Sequence, residues 1–268
     1  MAHYYLKTEK GVEPYHYVPM ASRPDELRPT RITDVKKLWK DKKFVVPSVT
    51  GIIDVLDKKA LTNWKIDQHL KVAYKDDGNA PFEERSEEDY IKEIKRLTEL
   101  QMEVAPSAGS DFHKLMEQFL LCKLPDNDPS YNLCQSVQLA ILDNTQQTVE
   151  SGMWAAKPEQ NFVSNLGYGG QVDLTLADQW VIDYKTKQTK DKFKPGKMAY
   201  DDHQMQLSAY REGLGLPNAR AANVFICLED GQIDFHEHKE EELDKGWEMF
   251  LAALKIWQLQ NGWEDRLA

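Results

Sequence analysis

The chain has 268 residues, 41% of them hydrophobic, and a formal net charge of −10. That length suits one large domain or two small ones with a true apolar core. No apolar run is long enough to span a bilayer, and the start, MAHYYLKTEKGVE, lacks the apolar segment of a secretory signal. The expectation is a soluble, cytoplasmic protein with no membrane partner. Cys122, Cys134 and Cys227 are odd in number and widely spaced. They argue against a disulfide framework, and against a zinc or iron–sulfur site built from cysteines alone. The acidic balance disfavours a nucleic-acid partner only on average, because a phosphate backbone responds to the local field. Residues 185–197, KTKQTKDKFKPGK, carry six lysines against one aspartate, while acids gather in EERSEED at 83–89. Lysine-rich loops are often merely solvated, so this stretch decides nothing alone.

In chain order, residues 1–45 read as irregular or short extended segments with turns at the prolines. PSVTGIIDVL (47–56) opens a short helix, with Ser48 or Thr50 as its cap. A second helix covers 61–75, followed by an acidic, glycine-containing loop at 76–85. Ser86 and Asp89 form a capping-box pattern, after which Tyr90, Ile94 and Leu97 repeat at helical spacing. A break at APSAGS (105–110) precedes a helix whose apolar face is Phe112, Leu115, Met116, Phe119 and Leu120. Another helix runs through about 132–150. The period then changes to two. Strands are expected near 153–164, 168–176, 180–186, 222–228 and 232–238, the last pair joined by the hairpin signal Asp230-Gly231. A helix at 201–214 lies among them and ends near Gly213 or Gly215, ahead of Pro217. A closing helix aligns Trp247, Phe250, Leu251, Leu254 and Trp257 on one stripe. With no repeat or linker, the chain reads as one domain over 1–268: a mainly helical N-terminal layer over 1–130 and a sheet core over 131–268. The fold class is α/β or α+β, a mixed central sheet flanked by helices.

The stretch GQVDLTLADQWVIDYKTK (170–187) places an aspartate inside each of two hydrophobic runs. If the loop is Ala177-Asp178-Gln179, Leu176 pairs with Trp180, and counting outward sets Asp173 opposite Asp183. Asp173, Asp183 and Lys185 then share one face, while Val172, Leu174 and Leu176 line the other. Directly opposed residues have Cβ atoms only ~4.5–5.5 Å apart, and like charges there are destabilising. One lysine neutralises one charge, so a divalent cation is the natural partner of the pair. Carboxylate ligands suit Mg²⁺ or Mn²⁺. A two-residue loop would instead put the acids on opposite faces. The plain alternative is an exposed hairpin with a surface Lys–Asp pair.

Asp173, nine intervening residues and then Asp183-Tyr184-Lys185 resembles the D…(D/E)-x-K signature of the restriction-endonuclease-like nuclease superfamily. Further features resemble its RecB-like branch, which includes phage exonucleases and the mitochondrial genome maintenance exonuclease. Gly-Ser-Asp-Phe-His at 109–113 resembles the branch's helix with a metal-binding histidine, here His113. Glu159, in KPEQNFVSNLGYGGQVD, fits its E…G-x-x-D pattern. Gly167, Gly169 and Gly170 lead into the first acidic strand and would allow close backbone approach to a ligand. Gln206-Leu207-Ser208-Ala209-Tyr210 matches the Q-x-x-x-Y motif, whose ends share a helix face. PSVT (47–50) and ALTNW (60–64) look like the opening helices of phage-encoded members, so the resemblance spans about 47–260. Each residue has a bland counterpart: His113 as a core histidine, Glu159 as a surface strand residue, Tyr210 as helix packing.

The resemblance implies a restriction-endonuclease-like core and a Mg²⁺- or Mn²⁺-dependent DNA exonuclease, with one or two ions, serving phage replication, recombination or repair. It implies Asp173, Asp183, Lys185, Gln206 and Glu159 as catalytic residues. The metal ligands would be His113, Asp173, Asp183 and a backbone carbonyl near Tyr184. Lys187, Lys190, Lys192, Lys194 and Lys197, with Tyr210, would contact DNA. Some members hold an iron–sulfur cluster on four cysteines; three at unrelated places imply none here. The helical N-terminal layer would cover the site and admit a free DNA end, and Trp64 and Tyr74 would either stack on bases or pack in the core. A recombination or single-strand-binding protein is a possible partner. The competing readings are a structure-specific endonuclease on the same core, and a non-catalytic DNA-binding subunit. A zinc protein built on His236 and His238, which share a strand face, is a third, weakened by the lack of further ligands nearby.

Overall fold

The computed structural model describes residues 4–20, 22–56, 59–76, 86–146 and 156–263. The elements run β1 (Tyr4–Thr8), β2 (Gly11–Pro14), β3 (Tyr17–Pro19), β4 (Leu27–Pro29), α1 (Ile32–Lys40), β5 (Val45–Pro47) and α2 (Val49–Ile53). They continue through α3 (Lys59–Asp76), α4 (Glu87–Leu120), α5 (Tyr131–Thr145), β6 (Ala156–Ser164), β7 (Tyr168–Leu176) and β8 (Trp180–Lys187). The last are α6 (Asp201–Leu214), β9 (Arg220–Cys227), β10 (Ile233–His238) and α7 (Glu240–Asn261). One compact unit comprises Met1–Val55 with His113–Ala268, and a second comprises Leu56–Phe112. The second holds α3 and the N-terminal part of α4, where Val72, Ile94 and Thr98 are buried.

The architecture is α+β, centred on a mixed sheet of strand order β10-β9-β8-β7-β6. β6, β7 and β8 form an antiparallel meander, β8 and β9 are parallel, and β9 and β10 are antiparallel. A parallel step needs a crossover, and the lysine-rich loop with α6 provides it. β7 is buried along nearly its whole length and β8 through Tyr184, so the polar Asp173, Thr175 and Asp183 set among their apolar residues are also removed from solvent. The three-residue loop Ala177-Asp178-Gln179 is present, with Leu176 paired to Trp180 and left-handed backbone at Ala177 and Asp178.

α6 and α7 pack on each other, the Ser208 hydroxyl donating to the Leu243 carbonyl at 2.6 Å. Tyr168 of β7 ties both helices to the sheet: its hydroxyl donates to the Ala209 carbonyl at 3.0 Å, and its ring meets Phe250 edge-on at 4.9 Å. A small sheet of order β2-β1-β5 adjoins β6 and β7, and Ser48 bridges Gly169. Ser48 also caps α2, accepting from the Gly51 amide at 3.0 Å.

Several elements differ from the sequence expectation. α1 falls where irregular or extended chain was expected; Val35 and Trp39, one turn apart, are its buried face. The expected break at 105–110 is absent, and α4 runs continuously through Pro106. A proline removes one intrahelical donor, and helix on both sides outweighs that loss. Leu251 of the closing stripe is 37% exposed, because the buried face of α7 runs through Phe250, Leu254 and Trp257. Residues 77–85, 147–150 and 153–155, read as loop, helix end and strand start, lie outside the described residues.

Gly169 and Gly170 do permit close approach, but to the protein's own backbone and rings. A Cβ on Gly169 would sit 2.8 Å from the Phe162 carbonyl oxygen and 3.1 Å from Tyr5, and one on Gly170 would sit 2.7 Å from the Phe162 ring and 2.9 Å from that of Tyr210. Gly170→Ala is therefore expected to destabilise the fold by about 1–3 kcal/mol through overpacking. The readout is the urea midpoint, and an unchanged midpoint would show that Phe162 and Tyr210 move aside freely.

Candidate active site

The two acidic strands meet where their ladder opens. Pairing between β7 and β8 stops at Leu174 with Ile182, one step short of Asp173 and Asp183. Asp173 instead turns a carboxylate oxygen to the backbone amide of Tyr184, which donates to it at 2.7 Å. Its other oxygen faces Nδ1 of His113, on α4, at 3.2 Å. The His113 ring stands edge-on to buried Tyr184, with centroids 5.8 Å apart. Asp183 has a separate set of partners. The Lys185 ammonium lies 2.7 Å from its Oδ2, and the Asn223 amide, its neighbour on β9, donates to the same atom at 2.8 Å. Each acid thus has its own counter-group, contrary to the expectation that only a shared cation makes the pair tolerable.

Glu159 is set into the same place by an irregularity of β6. Pro158 pairs with Leu174 and Gln160 with Val172, leaving Glu159 level with Asp173, and its φ of 52° is left-handed. Such a conformation costs a non-glycine residue about 1–3 kcal/mol, and here it falls where a side chain faces the acids. Ligand atoms of His113, Glu159 and Asp173 lie within 4.8 Å of one another, a geometry able to hold a metal ion. Asp183 is not one of the three. Tyr184 contributes its amide to Asp173 and its ring to His113.

Charge in this pocket is displaced from ordinary values. Burial, then the nearby Asp173, pushes the Glu159 carboxyl up to about 7. Burial alone would lower His113, but the hydrogen bond and charge of Asp173 outweigh it and raise the imidazole to about 9. Asp183 is raised, chiefly by burial, against the opposing pull of Lys185. Burial also works against the Lys185 ammonium, yet Asp183 and Asp173 prevail and its pKa is raised. Lys185 is therefore held as a cation beside Asp183.

Gln206 of α6 accepts from the Lys185 ammonium at 3.0 Å and donates to the Tyr210 hydroxyl at 2.8 Å. Tyr210, expected as a DNA contact, is 5% exposed, and its hydroxyl accepts from Gln206. Lys190, Lys192, Lys194 and Lys197 are exposed, and Lys187 is half-buried. Their loop is anchored: Phe193 and Met198 insert against Phe225 and Cys227, and Glu229 and Asp234 accept from the Lys190 and Gly196 amides, each at 2.8 Å.

Asn223 is absent from the set of residues that the sequence points to. Its signal is a single amide within the apolar run AANVFIC, which a buried strand tolerates only if the amide is bonded. A second cluster, His236, His238 and Glu242, supplies a third ligand beside the two histidines, contrary to the expectation that none lies nearby. Trp64 is 41% exposed within its own unit, and the side chain of Tyr74 lies outside the described residues. Among the described residues no helix is long and apolar enough to cross a membrane.

No protein-family model matches the chain, and neither does any curated protein. Among solved structures it aligns with SSO0001 at 16% identity, covering 69% of this chain and 83% of that one, with a TM-score of 0.29. The alkaline exonuclease LHK-Exo from Laribacter hongkongensis aligns at 15% identity over 59% of this chain and 86% of its own, also with a TM-score of 0.29. Its complex with dAMP gives the same values. Superpositions this shallow define neither a family nor an activity.

The displaced groups make the metal-free protein pH-sensitive. His113 is raised from 6.5 to about 9, so its stabilising contribution is complete below pH 6.5 and lost as pH rises through 9. Glu159 is raised from 4.5 to about 7, so its ionisation destabilises the fold increasingly over that interval. Both signs agree. With EDTA the melting temperature should fall between about pH 6 and about pH 9, and Mn²⁺ should restore it at the upper end. A melting temperature that rises with pH in EDTA would contradict these displacements.

Proposed function

We propose that the protein is a Mg²⁺- or Mn²⁺-dependent DNA exonuclease that hydrolyses phosphodiester bonds from DNA ends. The observation that carries this reading is the convergence of His113, Glu159 and Asp173 within 4.8 Å, beside the Lys185–Asp183 ion pair. In this reading His113, Glu159 and Asp173 hold the ion, and Asp183 adds negative charge next to them. A bound divalent ion there supplies charge relief at the phosphoryl oxygens and a water of lowered pKa.

The protein's own groups do the rest. Lys185 presents a fixed positive charge to the charge that develops in the transition state. Asp183 and Gln206 hold that ammonium from two sides, and Tyr210 fixes Gln206 in turn. Asn223 holds the far side of Asp183. The tethered loop turns Lys190, Lys192, Lys194 and Lys197 outward next to the strand that bears Lys185. Such a row grips phosphates without reading bases, which suits an enzyme that must move along any sequence.

End-labelled linear DNA and closed circular DNA, each with Mg²⁺, Mn²⁺ or EDTA, test the reading. Linear DNA should be degraded with either ion, and circles should survive. Asp173→Asn, Asp183→Asn and Lys185→Ala should each lower the rate about a hundredfold or more. Nicking of circles would establish an endonuclease instead, and binding without cleavage a non-catalytic subunit. Replacing Lys190, Lys192 and Lys194 together by alanine should weaken binding to all sequences alike. It should also reduce the slope of log K against log salt by roughly 0.7–0.9 for each phosphate no longer neutralised. An unchanged slope would remove the loop from the interface.

A further inference from the structure

β10 and the start of α7 carry a second group of metal-ligating side chains, separate from the acids of β7 and β8. His236 and His238 lie on one face of β10 with ring centroids 4.7 Å apart. Ligand atoms of His236, His238 and Glu242 fall within 4.8 Å of one another. The His238 side chain is 0% exposed, and its buried Nδ1 has no hydrogen-bond partner.

The proton on His238 is located by the bonds around it. Asp183 accepts from both the Lys185 ammonium and the Asn223 amide nitrogen, so Asn223 must turn its oxygen the other way. That oxygen meets Nε2 of His238 at 2.8 Å. An amide oxygen only accepts, so Nε2 carries a proton, and in the neutral ring Nδ1 keeps a bare lone pair. The lone pair faces Oε2 of Glu242 across 3.8 Å. The buried lone pair of His238 and the half-exposed carboxylate of Glu242, turned toward each other, make a place for something positive between them. Glu242 also receives the Lys239 amide at 2.9 Å at the start of α7, which fixes its carboxylate in position and leaves ligand capacity to spare.

We propose that His236, His238 and Glu242 bind a transition-metal ion of the Zn²⁺ class, with the remaining position open to water. Two imidazoles against a single carboxylate suit a borderline-soft ion, whereas Mg²⁺ favours sites in which oxygen ligands predominate. Asn223 is the outer partner that sets the ring tautomer, the part usually played by a carbonyl or carboxylate behind a ligating histidine. The site joins the last strand to the last helix, and through Asn223 it reaches Asp183. It stands on these residues alone and does not depend on the nuclease reading.

The test is titration of the full-length, metal-free protein with Co²⁺, followed by visible absorption, and then displacement by Zn²⁺. One equivalent of Co²⁺ should give ligand-field bands that Zn²⁺ removes. His236→Ala and Glu242→Gln should each weaken binding roughly tenfold or more, while Asp173→Asn leaves the bands unchanged. Glutamine at position 242 keeps an oxygen for the Lys239 amide, so α7 still starts correctly, and circular dichroism verifies the fold of each variant. Absence of bands overturns the proposal, as do bands that survive both His236→Ala and Glu242→Gln, or that vanish in Asp173→Asn.

Discussion

Burying two carboxylates on neighbouring strands is the constraint around which the rest of the sheet is arranged. Asp173 and Asp183 are 8% and 2% exposed, and charge removed from water is costly unless paired and hydrogen-bonded. The chain meets this in two independent ways. Asp173 takes a backbone amide and an imidazole, which requires the ladder to open at that step and α4 to deliver His113. Asp183 takes an ammonium from its own strand and an amide from the next, which requires β9 to run parallel with Asn223 in register. The interrupted pairing and the amide of Asn223 within an apolar strand both serve to satisfy those two groups.

The partners of the acids are themselves supported. Lys185 is held by Gln206, and Gln206 by Tyr210, so α6 fixes the cation from above the sheet. In the other direction Asn223 hands the network to His238 at the sheet edge. Hydrogen-bonded chains of this kind stiffen one arrangement of side chains, and a half-satisfied chain would be worse than none. The left-handed backbone at Glu159 is a local cost accepted in the same region. Backbone outliers gather where surrounding structure over-determines them and function uses the result.

Much of this is legible in the sequence because it depends on local patterns. The hairpin register follows from a three-residue loop between two apolar runs, and α6 follows from helical spacing closed by a left-handed Gly215. The partners that local patterns do not reveal are those set by long-range pairing. Asn223 matters only because β8 and β9 run parallel with residues 183 and 223 side by side. Glu242 joins the two histidines only because α7 begins directly after β10. Tyr210 turns inward, since helical spacing gives the face a residue occupies but not whether that face looks outward. The continuous α4 shows the limit of local rules, because a proline inside a long helix is a cost and not a prohibition.

The crossover between β8 and β9 has a consequence for how such a molecule could vary. Its first half is a loop fastened to the core at Phe193 and Met198, and its second half is the helix that carries Gln206. Residues added between the fastenings would lengthen the basic finger without altering the ladders on either side. The length of the exposed basic loop and the geometry around Lys185 and Gln206 are thus separable traits, adjustable one at a time within the same stretch of chain.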